Sequence, residues 1–203
     1  MSQPTRDSTR MDLKGKRLIL GSHSPRRCEL LTGMMIPFTI DAETSFEETF
    51  SPDTPHEKVP LLMSEGKSLG FHRPLEKDEI LLTSDTMVLC GDEIMGKPHD
   101  DKDAERMLRA LSGREHKVIS AITLRDPGRI VSYSDTALVH FKELTSEEIS
   151  FYIEKCRPLD KAGAYGIQEW IGYIGITRIE GSFFTIMGLP VHQVYSALCE
   201  FIL

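Results

Sequence analysis

The apolar positions of this chain repeat with two different spacings, one typical of strands and one typical of helices. Continuous or alternating apolar runs predict strands at residues 17–21, 80–90, 93–95, 116–124 and 130–141. Spacings of three and four predict helices, most clearly over residues 100–111, where one face carries Ala104, Met107, Leu108 and Leu111. Because strands and helices interleave without strict alternation, we expect an α/β fold with a mixed, elongated sheet flanked by helices.

Capping signals and apolar spacing locate four further helices. Ser24 lies just before a proline, which predicts a helix over residues 25–33 with Ser24 as its N-cap. Thr145 and Glu148 form a capping box, which predicts a helix ending near residue 155. The other two helices are predicted over residues 61–69 and from Pro190 onward, the last with a buried side formed by Val191, Val194, Tyr195, Leu198 and Ile202.

Clusters of glycine, proline and aspartate predict the connections between these elements. Residues 126–128 join the last two strands named above into a hairpin. Residues 180–181 close a second predicted hairpin, between strands at 173–179 and 183–187. Residues 45–60 contain three prolines and several acids, which predicts a mobile loop.

Composition places the 203-residue chain among ordinary globular proteins of one domain. Apolar residues make up 40% of the chain, enough for a hydrophobic core, and acidic residues outnumber basic ones by 31 to 24. The resulting net charge of -7 repels polyphosphate backbones, so a nucleic-acid polymer is not an expected partner. No apolar run is long enough to span a membrane, so we expect no membrane partner either.

The cysteines and the first residues of the chain bear on its setting and its boundaries. The four cysteines lie far apart, with no zinc-ligand spacing, which favours a reducing, cytoplasmic setting. Residues 1–16 are polar and have little to bury, which predicts a disordered N-terminal extension. We therefore expect the folded domain to span residues 17–203.

Residues 22–27 lie where a predicted strand leads into a helix, and they form a candidate anion site. Unpaired backbone N–H groups at a helix N-terminus favour an anion. Arg26 and Arg27 have the unfavourable sign for the helix dipole there, at a cost of about 0.3–1 kcal/mol each, which a bound phosphate chain would reverse. The alternative is that both arginines face solvent or pair with surface acids, and the spacing alone favours neither interpretation.

Asp85 interrupts an otherwise apolar strand, where an ionised carboxylate needs a cationic partner or a metal ion. Lys67 and Lys97 are the two candidate partners. Glu47 or Glu48 could join Asp85 around a hard divalent cation such as Mg²⁺, which prefers oxygen ligands and substrate phosphates. The alternative is a structural ion pair at the end of a strand. Together with the two arginines, these groups favour phosphoryl chemistry.

Six short segments, taken in register, resemble one known family. They are residues 20–27, 84–86, 96–98, 111–113, 160–168 and 188–190. In this order they resemble the Maf family of nucleoside triphosphate pyrophosphatases over about residues 17–203. The resemblance implies a Maf/ITPase-like α/β fold with a central nucleotide-binding cleft. It also implies hydrolysis between the α- and β-phosphates of a nucleoside triphosphate, a required Mg²⁺ or Mn²⁺ ion, and a homodimer.

The same resemblance implies roles for nine residues. Asp85 would activate water and, together with Glu47, hold the metal, while Lys97 would neutralise phosphate charge during catalysis. The substrate-binding residues would be Ser22, Arg26, Arg27, Lys67, Thr86 and Gln168.

The segment 160–168 is similar to that of the subgroup acting on dTTP and UTP, in which Arg26, Thr86 and Gln168 would set the base preference. The side-chain amide of glutamine can pair with one imide edge of thymine or uracil, because it complements the carbonyl and N–H groups there. The chain departs from the family pattern directly after Gln168, where Glu169 stands in place of a usual glycine. A non-catalytic nucleotide-binding regulator of cell division is the alternative function.

Overall fold

A seven-stranded mixed sheet forms the centre of the protein in a computed structural model, which describes residues 11–202. Its strands are β1 (Arg17–Leu20), β2 (Phe38–Ile40), β3 (Glu79–Cys90), β4 (Glu93–Met95), β5 (Glu115–Arg125), β6 (Ile130–Phe141) and β7 (Ile176–Glu180). The order across the sheet is β2-β1-β3-β5-β6-β7, with β4 also beside β3. Strand β1 runs parallel to β2 and β3, and every other pair is antiparallel. The expected mixed α/β fold is confirmed.

Seven helices flank the sheet within the described residues. They are α1 (Pro25–Gly33), α2 (Val59–Leu69), α3 (Asp101–Leu111), α4 (Ser146–Cys156), α5 (Trp170–Gly175), α6 (Phe183–Met187) and α7 (Val191–Ile202). Helix α3 buries the predicted apolar face, and Asp100 caps its N-terminus by accepting a 2.8 Å hydrogen bond from the Asp103 N–H. The predicted capping box opens α4, with Glu148 N–H donating to Thr145 Oγ1 at 3.2 Å. Within residues 11–202, no helix has the length and apolar character of a transmembrane span.

Strand β3 is the element that creates a cleft in the sheet. One edge of β3 pairs with β5 along almost its whole length. The other edge pairs with β1 only over Glu79–Leu82 and with β4 only over Val88–Cys90. On this second edge, between the two short partners, residues 83–87 of β3 have no neighbouring strand among the described residues, and this part of the edge is called the unpaired stretch of β3. The sheet is therefore open along this part of the β3 edge, even though the strand lies at the centre of the sheet.

The predicted hairpin over residues 173–187 is wrong. Strand β7 pairs with β6, whereas Phe183–Met187 forms helix α6, which packs against β5 and β6. The aromatic and β-branched residues of both segments favour strands by propensity, but packing against the sheet overrides that preference. Gly181, with a φ of 106°, reverses the chain between the two elements.

Two further expectations differ from the structure at the ends of the chain. Leu13 is buried, and the Met11 N–H donates to the Met35 carbonyl at 3.0 Å, so the predicted disorder is wrong for residues 11–16. Residues 1–10 lie outside the described part. Tyr195, predicted on the buried side of α7, is 54% exposed, because the core face of that helix consists of Val194, Ala197, Leu198 and Phe201.

Candidate active site

A cavity of about 690 Å³ opens beside the unpaired stretch of β3. The loops after β1, after β2, after β4 and before α5 reach it, as does one side of α2. Eight of the nine residues predicted to form the site line this cavity: Ser22, Arg26, Arg27, Lys67, Asp85, Thr86, Lys97 and Gln168. Glu47 is the exception. Residues separated by up to 146 positions in the sequence thus share one cleft.

The loop between β1 and α1 is organised by the side chain of Ser22. Its Oγ accepts hydrogen bonds from the Ser24 N–H at 3.2 Å and from Arg27 Nη1 at 3.0 Å. Ser24 occupies the N-cap position, as predicted, but its side chain makes no capping hydrogen bond. The backbone N–H groups of the first turn of α1 are therefore not satisfied by this side chain, which suits an anion site at this end of the helix.

Arg27 is fixed at the back of the cleft by three protein oxygens. Its Nε donates to the Gly188 carbonyl at 3.0 Å, Nη1 donates to Ser22, and Nη2 approaches Thr86 Oγ1 at 3.4 Å. Burial lowers the pKa of the Arg27 guanidinium, while the nearby Asp85 carboxylate acts in the opposite direction. An arginine keeps its charge in such surroundings, so Arg27 provides a rigidly oriented positive charge.

Arg26, by contrast, is held by an acidic residue that also lines the cavity, Asp160. Its Nη1 lies 2.8 Å from Asp160 Oδ2. The Arg26 side chain is 22% exposed and that of Asp160 is 56% exposed. The two interpretations of the double arginine thus both find support, because Arg26 pairs with an acid while still lining the cavity.

Asp85 projects from the unpaired stretch of β3 and forms an ion pair with Lys67. The Lys67 ammonium lies 2.7 Å from Asp85 Oδ1 and 3.0 Å from Glu48 Oε1. The side chains of Lys67 and Asp85 are only 16% and 19% exposed. Lys97, the other candidate partner, is exposed at the cavity and has no ion-pair partner among residues 11–202. The ion pair is therefore in mid-strand inside the cleft, rather than at a strand end.

The geometry separates the two glutamates that the sequence left open. Glu48 lines the cavity and shares the Lys67 ammonium with Asp85. Glu47 is exposed and does not line the cavity. Asp85 and Glu48 together supply carboxylate oxygens within reach of one common cation, which is the donor chemistry that Mg²⁺ and Mn²⁺ prefer. The residues present therefore fit a divalent metal, with Glu48 in the place that the sequence-based prediction gave to Glu47.

Thr86 is held in a defined hydrogen-bonding state by a buried neighbour. Ser120 Oγ donates to the Thr185 carbonyl at 2.7 Å, and it lies 2.8 Å from Thr86 Oγ1. Each hydroxyl has a single proton, so the two shorter contacts are satisfied together when Ser120 donates to Thr185 and Thr86 donates to Ser120. The Gly188 carbonyl, 3.3 Å from Thr86 Oγ1, is a second acceptor for the same Thr86 proton. The lone pairs of Thr86 Oγ1 are consequently left for Arg27 and for a ligand in the cleft.

Gln168 lines the cavity from the loop before α5. Its Oε1 atom is buried and has no hydrogen-bond partner within the described part of the chain. A buried amide oxygen without a partner costs free energy, and such groups in native proteins usually have a ligand or water to satisfy them. Gln168 is therefore suited to accept a hydrogen bond from a bound molecule.

The structure adds residues to which the sequence analysis gave no role. Asp160 and Lys161 lie in the segment 160–168, so the family resemblance of that segment is the signal that could have identified them. Ser120 and the Gly188 carbonyl act on Thr86 and Arg27, and only the fold brings them there.

A family model described as "Maf-like protein" matches residues 17–201. The chain belongs to the Maf family. A relative named dTTP/UTP pyrophosphatase from Porphyromonas gingivalis is 44% identical over 192 residues, covering 94% of this chain and 96% of the relative. Relatives of the same name from Phocaeicola vulgatus and Christiangramia forsetii are 43% and 42% identical, covering 92% and 93% of this chain and 97% and 95% of their own lengths. The resemblance read from six short segments is confirmed.

Among solved structures, that of a HAM1 protein from Coxiella burnetii matches 62% of this Maf-family chain and 73% of its own. The TM-score of this match is 0.38 and the sequence identity is 14%.

Proposed function

We propose that this Maf-family protein hydrolyses nucleoside triphosphates, with dTTP and UTP as its substrates, to the nucleoside monophosphate and pyrophosphate. The names of the relatives support the substrates. The single observation that carries the chemistry is the position of Asp85, which meets Lys67 and Glu48 in the same cavity as the arginine loop. A carboxylate beside several cations is the arrangement that hydrolysis of a phosphate chain requires.

Asp85 acts as the proton acceptor in the proposed step. The oxygen of a water molecule forms a bond to the α-phosphorus, and the bond from that phosphorus to the oxygen bridging to the β-phosphate breaks. The electron pair leaves with pyrophosphate, and the water proton passes to the Asp85 carboxylate. Lys67 holds Oδ1, whereas Oδ2 makes no hydrogen bond with any residue the structure describes, which leaves one oxygen for the water.

The cationic residues neutralise the phosphate chain. Arg27 is fixed and cannot easily follow a moving substrate, so it provides a preorganised charge. Lys97 is exposed and can move toward a β- or γ-phosphate. Arg26 can contact substrate by exchanging part of its bond with Asp160. Ser22 keeps the loop in place and lies beside the N-terminus of α1.

Asp85 and Glu48 are the proposed ligands of a Mg²⁺ or Mn²⁺ ion, which we propose that the reaction requires. A divalent ion bound there supplies positive charge and Lewis acidity next to the phosphates. Lys67 already lies between the two carboxylates, so it keeps them in place and limits their mutual repulsion.

Gln168 and Thr86 are the proposed base-reading groups. The N3–H of uracil or thymine is a donor, and the partnerless Oε1 of Gln168 is a suitable acceptor for it. Cytosine carries an acceptor at the same ring position, so it would leave this oxygen unsatisfied. The buried, unpaired amide oxygen therefore favours the two imide bases.

Pyrophosphate release tests the proposal. Purified protein is incubated with dTTP, UTP, CTP and ATP in the presence of Mg²⁺ or Mn²⁺. We expect release from dTTP and UTP that falls by about 10²- to 10⁴-fold in Asp85→Asn, the range typical of a lost general base. The exposed turn residue Asp92 gives the matched control Asp92→Asn, with unchanged activity. Tight nucleotide binding without turnover in the unmodified protein would instead support the regulator of cell division.

The homodimer and the cytoplasmic location stay predictions. Gel filtration with light scattering tests the first, and localisation of the tagged protein in the cell tests the second.

A further inference from the structure

We propose that Glu169 is a positioning residue that sets the base selectivity of the cleft by fixing the loop that carries Gln168. This inference rests on the proposed function and deepens it. Glu169 lies directly after Gln168 at the start of α5. Its carboxylate contacts Lys161, at the start of that loop, and the Tyr152 hydroxyl, which binds Gly166 in the middle of the loop.

The first contact of the Glu169 carboxylate is with Tyr152 on α4. The Tyr152 hydroxyl donates to Glu169 Oε2, and the same hydroxyl oxygen accepts the Gly166 N–H at 3.0 Å. Tyr152 is completely buried. Burial and the negative charge of Glu169 raise the pKa of the Tyr152 hydroxyl, so it remains a donor to the carboxylate at any physiological pH.

The second contact of the Glu169 carboxylate is with Lys161, at the start of the loop. Its ammonium lies 3.0 Å from Glu169 Oε1 and 2.6 Å from Asp160 Oδ1, and its side chain is only 9% exposed. A buried ammonium needs its counter-charges, and removing one from such a group is costly. Glu169 therefore holds the first residue of the segment 161–169 as well as its middle.

These two contacts act on the wall of the cleft where Gln168 lies. The loop contains two residues with positive φ, Gly163 at 68° and Ala164 at 58°, so its backbone conformation depends on the contacts around it. Gln168 lies between Gly166 and Glu169 in the sequence. The Tyr152 hydroxyl joins these two residues, because it accepts from the Gly166 N–H and donates to the Glu169 carboxylate. Because Gln168 Oε1 has no hydrogen-bond partner among the described residues, the position of this side chain depends on the backbone that Glu169 holds.

The same chain of contacts continues to the phosphate side of the cleft. Asp160 pairs with Lys161 through Oδ1 and with Arg26 through Oδ2. If Glu169 loses its charge, Asp160 is the remaining carboxylate partner of Lys161. We then expect the Asp160 carboxylate to move toward Lys161 and away from Arg26. The effect of Glu169 should thus appear in substrate binding and selectivity, whereas Asp85, which lies outside this network, keeps its proton-accepting role.

The test uses Glu169→Gln, which removes the charge and nearly preserves the shape. We expect the KM for UTP to rise about tenfold, a factor that corresponds to about 1.4 kcal/mol, with kcat changed by less than about twofold. The ratio of kcat/KM for UTP over CTP should fall by a similar factor. Tyr152→Phe removes only the hydrogen bonds of the Tyr152 hydroxyl. It should change KM and the UTP-over-CTP ratio in the same direction, by a smaller factor. Glu154→Gln, at an exposed carboxylate on α4, is the matched control and should behave like the unmodified protein.

A purely structural role predicts a different result. It would lower the melting temperature of Glu169→Gln but leave KM and the UTP-over-CTP ratio unchanged at temperatures well below the transition, and this outcome overturns the proposal. If Glu169→Gln does not fold, Glu169→Asp and Tyr152→Phe are measured in its place, and unchanged selectivity in both has the same meaning.

The failure of the proposed function would be seen separately. If the unmodified protein releases no pyrophosphate, calorimetry compares its affinity for UTP and CTP with that of Glu169→Gln. A preference for UTP that disappears in the variant supports the role of Glu169 in a binding protein, whereas equal preference in both, or no nucleotide binding at all, overturns it.

Discussion

Lys67 Nζ lies 2.7 Å from Asp85 Oδ1, and the same ammonium lies 3.0 Å from Glu48 Oε1. One lysine thus holds two carboxylates that come from a strand and from a loop 37 positions earlier. Because all three groups line the cleft beside the unpaired stretch of β3, the charge balance of the proposed reaction centre depends on this lysine.

Replacing Lys67 with methionine should reduce turnover by about 10²-fold, the scale of a lost electrostatic contact in an active site. The reason is that Asp85 and Glu48 would then repel each other, and the substrate phosphates would lose a cation. Steady-state pyrophosphate release measures the effect. Lys58→Met, at an exposed lysine just before α2, is the control, and a similar loss there would contradict the assignment.

Glu47 and Glu48 provide a matched pair for the metal. We expect Glu48→Gln to raise the Mg²⁺ or Mn²⁺ concentration needed for half-maximal activity at least tenfold, because it removes one charged oxygen ligand. Glu47→Gln should leave that concentration unchanged, since Glu47 is exposed and outside the cleft. Treatment with a chelator should abolish the activity of all three proteins. The opposite ranking of the two variants would return the metal role to Glu47.

Arg27→Lys tests whether the fork of the guanidinium matters. A lysine has a single nitrogen and cannot bond Gly188, Ser22 and Thr86 at once. We expect kcat/KM to fall by about 10- to 100-fold with little change in secondary structure. Arg114→Lys, at an exposed arginine, should retain full activity. Equal activity of Arg27→Lys and the unmodified protein would show that charge alone suffices at this position.

His116 should make the free energy of unfolding depend on pH. Burial, with a smaller contribution from His140, lowers the pKa of His116 to about 3. In the unfolded chain the imidazole has a pKa of about 6.5, so between these values only the unfolded state binds the proton. Stability should therefore decrease as pH falls below about 6.5, by up to about 1.4 kcal/mol per pH unit.

Urea unfolding of His116→Gln at pH 7, 6 and 5 checks this expectation. The variant loses the 2.8 Å bond between His116 Nε2 and the Tyr165 hydroxyl, so it should be less stable at pH 7 but show a flatter decline toward pH 5. His192→Gln, at an exposed histidine of α7, should follow the slope of the unmodified protein. Parallel slopes for all three proteins would contradict the role of His116.

Much of the fold could be predicted because the signals are local. The apolar face of α3, the capping box of Thr145 and Glu148, and the proline that opens α1 each depend on residues within one or two turns. The segment 183–187 could not be predicted in this way, since its residues favour a strand and only packing against β5 and β6 makes it helical.

The sequence by itself determined the family, through six segments in register, and it named eight residues that the fold brings into one cleft. Only the tertiary structure decided that Lys67 rather than Lys97 pairs with Asp85, that Glu48 rather than Glu47 faces them, and that Glu169 ties down the loop of Gln168. The physical reason is the separation along the chain of the residues that interact. Periodicity and caps arise between neighbours along the chain, whereas these contacts join distant residues whose distances are set by the order of strands around the opening in β3.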